Sequence, residues 1–144
     1  MIRNAILAFS LLLSSAACAE TIEIKMLNRG EHGSMVFEPD YVQLKPGDEL
    51  HFVAANKSHN AASIKGMVPE GYAGFDGKIN EEITVRFGQP GYYGIKCSAH
   101  YGMGMVMVVK VGEAATSDAL RNVDAPPRAK KRFAEIFARA GTAA

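Results

Sequence analysis

Cysteine is scarce in this sequence, a surplus of either charge is missing, and only one apolar run has any length. Of two cysteines, Cys18 belongs to the N-terminal apolar stretch and Cys97 stands alone in the remainder, which excludes a disulfide-stapled scaffold. Met1 to Ala19 has a basic start at Arg3, an apolar run from Ala5 to Leu13 and an Ala17-Cys18-Ala19 end. These are the features of a cleaved secretory leader, and the run is too short to span a bilayer. The mature chain is expected to begin at Glu20 and to be soluble in an oxidising compartment. A lipoprotein acylated at Cys18 is the rival reading, but Ser15 stands where such leaders usually carry a larger aliphatic residue. Once Arg3 leaves with the leader, Lys+Arg and Asp+Glu are equal in number. That balance argues against a nucleic-acid partner, which needs a basic patch or stripe, although a local asymmetry can still steer a protein. Repeats and low-complexity segments are also missing, and 144 residues suit a single domain with a real core.

What is present gathers in Gly91 to Val111, which reads as a strand, a short glycine-containing loop and a second strand. The loop carries a thiol, an imidazole and a thioether in Cys97, His100 and Met105. A free Cys97 would be a small buried hydrophobe, but beside His100 and Met105 it reads as a ligand, because thiolate, imidazole and a weak thioether together suit copper. Such a trigonal site still needs a second imidazole. His59, in Asn56-Lys57-Ser58-His59-Asn60 after another apolar strand, is the natural candidate. The expected set is therefore His59, Cys97 and His100 in a plane with Met105 on the axis, the blue-copper arrangement. Met103 is the rival for the axial place. His32, in a glycine-flanked loop, and His51, inside a strand, read as surface or structural histidines, and Met26, Met67 and Met107 as core filler. Asn60 either ties the two ligand loops together or is an ordinary turn residue.

Elsewhere the pattern is mostly period two. Thr21 to Leu27, Glu49 to Ala54 and Glu82 to Phe87 alternate as half-buried strands, Asn28 to Ser34 reads as a loop, and Lys45-Pro46-Gly47-Asp48 is a tight reversal. Ser63 to Asn80 is expected to hold loops and a short helical turn. About seven strands in an antiparallel two-sheet sandwich follow. Beyond Gly112 the period lengthens. Ser117 can cap a short helix, and Pro126-Pro127 begin a second in which Ala129, Phe133, Ile136, Phe137 and Ala140 form one apolar stripe. Its basic outer face could lie on a membrane, but docking on the sandwich is the simpler expectation.

Taken together, Met26-Leu27-Asn28, Met35-Val36-Phe37-Glu38-Pro39, His59-Asn60, Ser63-Ile64-Lys65, Pro69-Glu70-Gly71, Lys78-Ile79-Asn80-Glu81 and Lys96-Cys97 through Met105 closely resemble the pseudoazurins, periplasmic members of the cupredoxins. The resemblance implies an all-β cupredoxin fold over 20–144: a Greek-key sandwich of about eight strands with two C-terminal helices. It implies one type 1 copper on His59, Cys97, His100 and Met105, and single-electron transfer to periplasmic enzymes such as copper nitrite reductase, with a cytochrome-type donor. Partners would dock transiently on an apolar patch around His100, Met35, Gly102 and Met103, ringed by bases such as Arg29 and Lys57. A small, weak, fast interface of that kind suits a monomer. Two departures from the pattern stand out. Ala99 occupies the place where the family usually has proline, and Gly66, Gly74, Asp76 and Gly77 lie where it is often richer in lysine.

The expected role is an electron carrier, not an enzyme, because no second cluster of histidines or carboxylates offers a substrate site. A periplasmic copper chaperone or buffer is the alternative; it would want an open, methionine-rich site that releases its ion. A metal-free module of the same fold is a weaker rival, given four matched ligands.

Overall fold

The computed structural model describes residues 18–115, 120, 122 and 124–141. The expected leader at 1–19 falls outside them except for its last two residues. So does most of the first expected C-terminal helix, from Ser117, of which only Leu120 and Asn122 are described. Eight strands run in the order β1 (Thr21–Gly30), β2 (Gly33–Glu38), β3 (Tyr41–Leu44), β4 (Glu49–Val53), β5 (Ala62–Ser63), β6 (Ile83–Arg86), β7 (Gly91–Lys96) and β8 (Val106–Val111). A six-residue 3-10 turn, Ser98–Met103, links β7 to β8, and helix α1 (Pro127–Ala140) follows.

The strands form two four-stranded sheets, ordered β2-β1-β4-β6 and β3-β8-β7-β5. Their facing sides share one core containing Ile24, Met26, Phe37, Leu50, Phe52, Phe87, Tyr93, Ile95 and Met107. Edge-to-face rings knit it: Phe87 on Tyr93 at 5.0 Å and 84°, Phe37 on Phe52 at 6.0 Å and 76°. This is the arrangement that aromatic quadrupoles favour.

Two pairings depart from the antiparallel expectation. β1 lies parallel to β4, and β3 parallel to β8. In both cases the chain visits the other sheet before it returns, so the partners arrive in the same direction, and alternation within a strand carries no trace of that direction. The Asn28 to Ser34 loop also shrinks. β1 continues to Gly30 and pairs Arg29 with Ser34, leaving a tight hairpin at Glu31-His32. No helical turn forms within 63–80, where β5 and a series of turns occupy the chain.

The second sheet is buried on both faces, which explains the nearly unbroken apolar run of β8. Tyr93, Ile95, Met107 and Val109 face the sandwich core. Tyr92, Val106 and Val108 pack instead with Ala129, Phe133, Ile136 and Phe137 of α1, so the expected stripe docks on the sandwich. Arg139 fastens the far end of α1 through a two-pronged pair with the buried Asp40, at 3.1 and 2.7 Å. At the near end, a Cβ on Gly104 would stand 2.9 Å from the Arg128 carbonyl oxygen, and its φ is +88°. Only glycine admits both the conformation and the approach, and the start of α1 is thereby seated against the turn that follows β7. Among the described residues, no helix is long and apolar enough to cross a membrane.

Candidate metal centre

Two loops at one end of the sandwich carry the expected donors. Cys97 immediately follows β7, His100 sits in the 3-10 turn, and Met105 immediately precedes β8. The ring that joins them is closed by backbone bonds: Cys97 N–H to Met105 O at 3.0 Å, Met105 N–H to His100 O at 3.1 Å, and His100 N–H to Cys97 O at 3.2 Å. Met105 is wholly buried in the same core cluster as Cys97, whereas Met103, its rival, is 43% exposed. His59 comes from the loop after β4. There Ser58 adopts a positive φ, and its N–H donates to Asn80 Oδ1 at 2.6 Å, while Asn80 N–H returns to His59 O at 2.8 Å.

His59 Nδ1, His100 Nδ1 and Cys97 Sγ converge, with the candidate donor atoms of the three residues all within 4.8 Å of one another. The two Nδ1 atoms are 3.1 Å apart, and Sγ lies 3.8 Å from that of His59 and 3.5 Å from that of His100. His59 Nε2 stands 2.8 Å from Asn28 Oδ1. A carboxamide oxygen can only accept, so Nε2 carries the proton and Nδ1 presents its lone pair to the cluster. Burial pushes the His59 pKa down, with a further push from His100; both keep the ring neutral, as a ligand must be. Unprotonated ring nitrogens this close repel unless a proton or a cation lies between them. With a soft sulfur beside both, the set fits a single copper ion.

Asn60 does tie the loops. Its Nδ2 donates to Gly77 O at 2.8 Å and to Ser98 Oγ at 3.1 Å, and its Oδ1 accepts from Ser98 N–H at 2.7 Å. His59, Cys97 and Asn60 are buried, while His100 is only half-buried. Asn28 and Asn80 were missed as positioning residues. The resemblance contains both, but a single Asn near a turn carries no local sign of the ring or loop it will hold. His32 is exposed, and His51 is 38% exposed with Glu82 3.7 Å away; neither joins the cluster.

The model of the copper binding proteins of the plastocyanin/azurin family matches residues 24–112. A pseudoazurin from Paracoccus pantotrophus is 47% identical over 85% of this chain and 86% of its own length. The chain belongs to the plastocyanin/azurin family, within its pseudoazurin group. Solved structures agree. A Sinorhizobium pseudoazurin superposes with a TM-score of 0.80 at 43% identity, covering 84% of this chain and 96% of that one. The pseudoazurin of Methylobacterium extorquens AM1 gives 0.77 at 41%, over 83% and 98%. The matched span contains all four expected ligands, and the family's copper agrees with the donor chemistry found here.

Proposed function

We propose that the mature chain, 20–144, is a type 1 copper electron carrier of the periplasm, in which His59, Cys97, His100 and Met105 would hold the ion. The observation that carries this reading is the convergence of two imidazole nitrogens and one thiol sulfur inside loops already fastened by hydrogen bonds. Copper, when bound, supplies a one-electron couple. The protein supplies a fixed frame: Asn28 holds the His59 tautomer, Asn60 and Asn80 hold the loops, and burial of His59 and Cys97 keeps water out. A frame that does not rearrange adds little to the barrier for electron transfer. His100 reaches toward solvent beside the exposed Met103, which suits transient docking of a partner on the face that includes Met35. Copper nitrite reductase is the acceptor proposed, and the chain itself turns over no substrate. Burial of the thiol counts against the chaperone alternative, which needs an ion that can be handed on.

The test is the visible absorption and EPR spectrum after one equivalent of Cu(II). Intense thiolate-to-copper charge transfer with a small copper hyperfine splitting, lost in Cys97→Ser, is expected. A pale spectrum with an ordinary splitting overturns the ligand assignment. Slow electron self-exchange in a protein with the expected spectrum would favour the chaperone.

A further inference from the structure

At the end of β1 away from Asn28, a single residue is gripped on both of its backbone groups. Glu20 N–H donates to Asp48 Oδ1 at 2.9 Å, and Glu20 O accepts from Glu49 N–H at 2.8 Å. Asp48 is only 4% exposed, and its other oxygen accepts from Lys45 N–H at 2.8 Å. These two N–H groups, that of Glu20 foremost, hold the Asp48 carboxyl below the usual carboxylate range. Beside them opens a cavity of about 300 Å³ whose charged lining is Glu20, Lys45, Asp48, Lys110 and Glu113. Two cations there face three anions, so the lining is short of one positive charge. Just outside, Glu49 accepts from Thr21 Oγ1 at 3.3 Å, and Arg86 Nη2 would stand 3.5 Å from a Cβ on Gly47; their opposite charges cancel. Cys18 and Ala19, ahead of Glu20, are exposed and belong to no strand.

We propose that Asp48 is the seat of the α-ammonium that removal of the leader creates at Glu20, so that processing supplies the missing positive charge and completes the end of the sandwich opposite the metal cluster. A signal peptidase breaks the Ala19–Glu20 peptide bond with one water. The water oxygen goes to the Ala19 carboxyl, which leaves as a carboxylate, and both water hydrogens end on the Glu20 nitrogen. An α-amine ordinarily titrates near about 7.7–8.0, and a carboxylate beside it favours the charged form. Before cleavage the same nitrogen is a neutral amide with one N–H. Afterwards it has three donors: one stays on Asp48 Oδ1 as a charge-assisted bond, and the cavity leaves room for water on the others. The precursor is therefore less stable than its product, which suits a chain that crosses a membrane before it folds. The inference rests on the reading of 20–144 as the mature chain.

The experiment compares two copper-loaded proteins in urea near neutral pH, the chain beginning at Glu20 with a free amine and the same chain N-acetylated at Glu20. Between the carboxylate and amine ranges both partners are charged; the gain is lost as acid protonates Asp48 or as alkali discharges the amine. In that window the unfolding equilibrium constant of the free-amine protein should be the smaller by about two- to fivefold. The difference should vanish in Asp48→Asn, which keeps an oxygen acceptor for the Lys45 N–H. Equal constants, or a difference that persists in Asp48→Asn, overturn the proposal. Should that variant not fold, the Asp48 carboxyl is followed by carbon NMR through an acid titration. It should titrate lower in the free-amine protein than in the acetylated one, and identical titrations overturn the proposal. The mature-chain reading is tested separately, by the intact mass of the protein exported with its own leader. A chain that starts elsewhere than Glu20, or is acylated at Cys18, overturns that reading, and with it the role in processing, without moving the urea comparison.

Discussion

His59 and Cys97 are wholly buried, and the loops around them are held by the side chains of Asn28, Asn60 and Asn80. His100 belongs to a 3-10 turn with one residue of non-helical backbone, His100 itself, is half-buried, and is followed by the exposed Gly102 and Met103. Under the proposed function the two halves answer different demands. The inner half must keep the same donors at the same distances whatever the charge of the ion, so its polar groups are paired and dry. The outer half must bring a ligand edge within reach of another molecule, so it gives up burial and keeps only backbone closure. The comparison teaches that geometry is specified on one side of the ion and access on the other, and substitutions should separate the two.

The largest effect falls on the inner half. Cys97→Ser replaces the soft donor with a hard one, and the intense visible band should disappear, with copper affinity falling by orders of magnitude in a competition titration. Next is the support behind the inner donors. Asn60→Ala leaves Ser98 N–H and Gly77 O without their partner and should cost about 1–3 kcal/mol in denaturant unfolding. Asn28→Ala frees the His59 tautomer and should weaken copper binding roughly 10–100-fold while the fold persists. Retained affinity in Asn28→Ala would mean that burial alone orients the ring and that the inner half is less specified than it looks.

How much of this could be read beforehand follows the same division. Cys97 and His100 share one short loop between two clear strands, so their meeting was legible from spacing. His59 was legible from its place after an apolar strand, because strands that end at the same edge of a sandwich bring their loops together. Asn28 was not legible, since the glycines after it read as a loop and β1 was expected to end at Leu27. Pairing with β2 across the hairpin carries β1 on to Gly30 instead. The parallel pairings of β1 with β4 and of β3 with β8 were hidden for the same reason: long-range register leaves no mark on local alternation. In 63–80 the glycines were read correctly as breakers, but backbone bonds from Ile64 to Gly94 and from Gly94 to Met67 favour turns where a helical turn was expected.

A smaller effect is expected at Ala99, exposed in the turn and two residues after the thiol. Its N–H is a donor that proline lacks, and a donor near the sulfur stabilises the more electron-rich, reduced state. Ala99→Pro should therefore lower the reduction potential in voltammetry and leave the EPR pattern of the site in place. An unchanged potential would mean that this N–H does not reach the sulfur.

The smallest effect on structure should come from the outermost side chain. Met103 is 43% exposed, so Met103→Ser removes little buried surface and should change stability by no more than about 0.5 kcal/mol, with the visible spectrum unaltered. Electron self-exchange has a different dependence, because on the proposed reading two molecules meet through the His100 edge, and a polar hydroxyl keeps water that the thioether would shed. The exchange rate measured by NMR line broadening should fall while spectrum and stability hold. A rate that also holds would place the exit elsewhere than beside Met103, and the outer half would then owe its openness to loop geometry and not to docking.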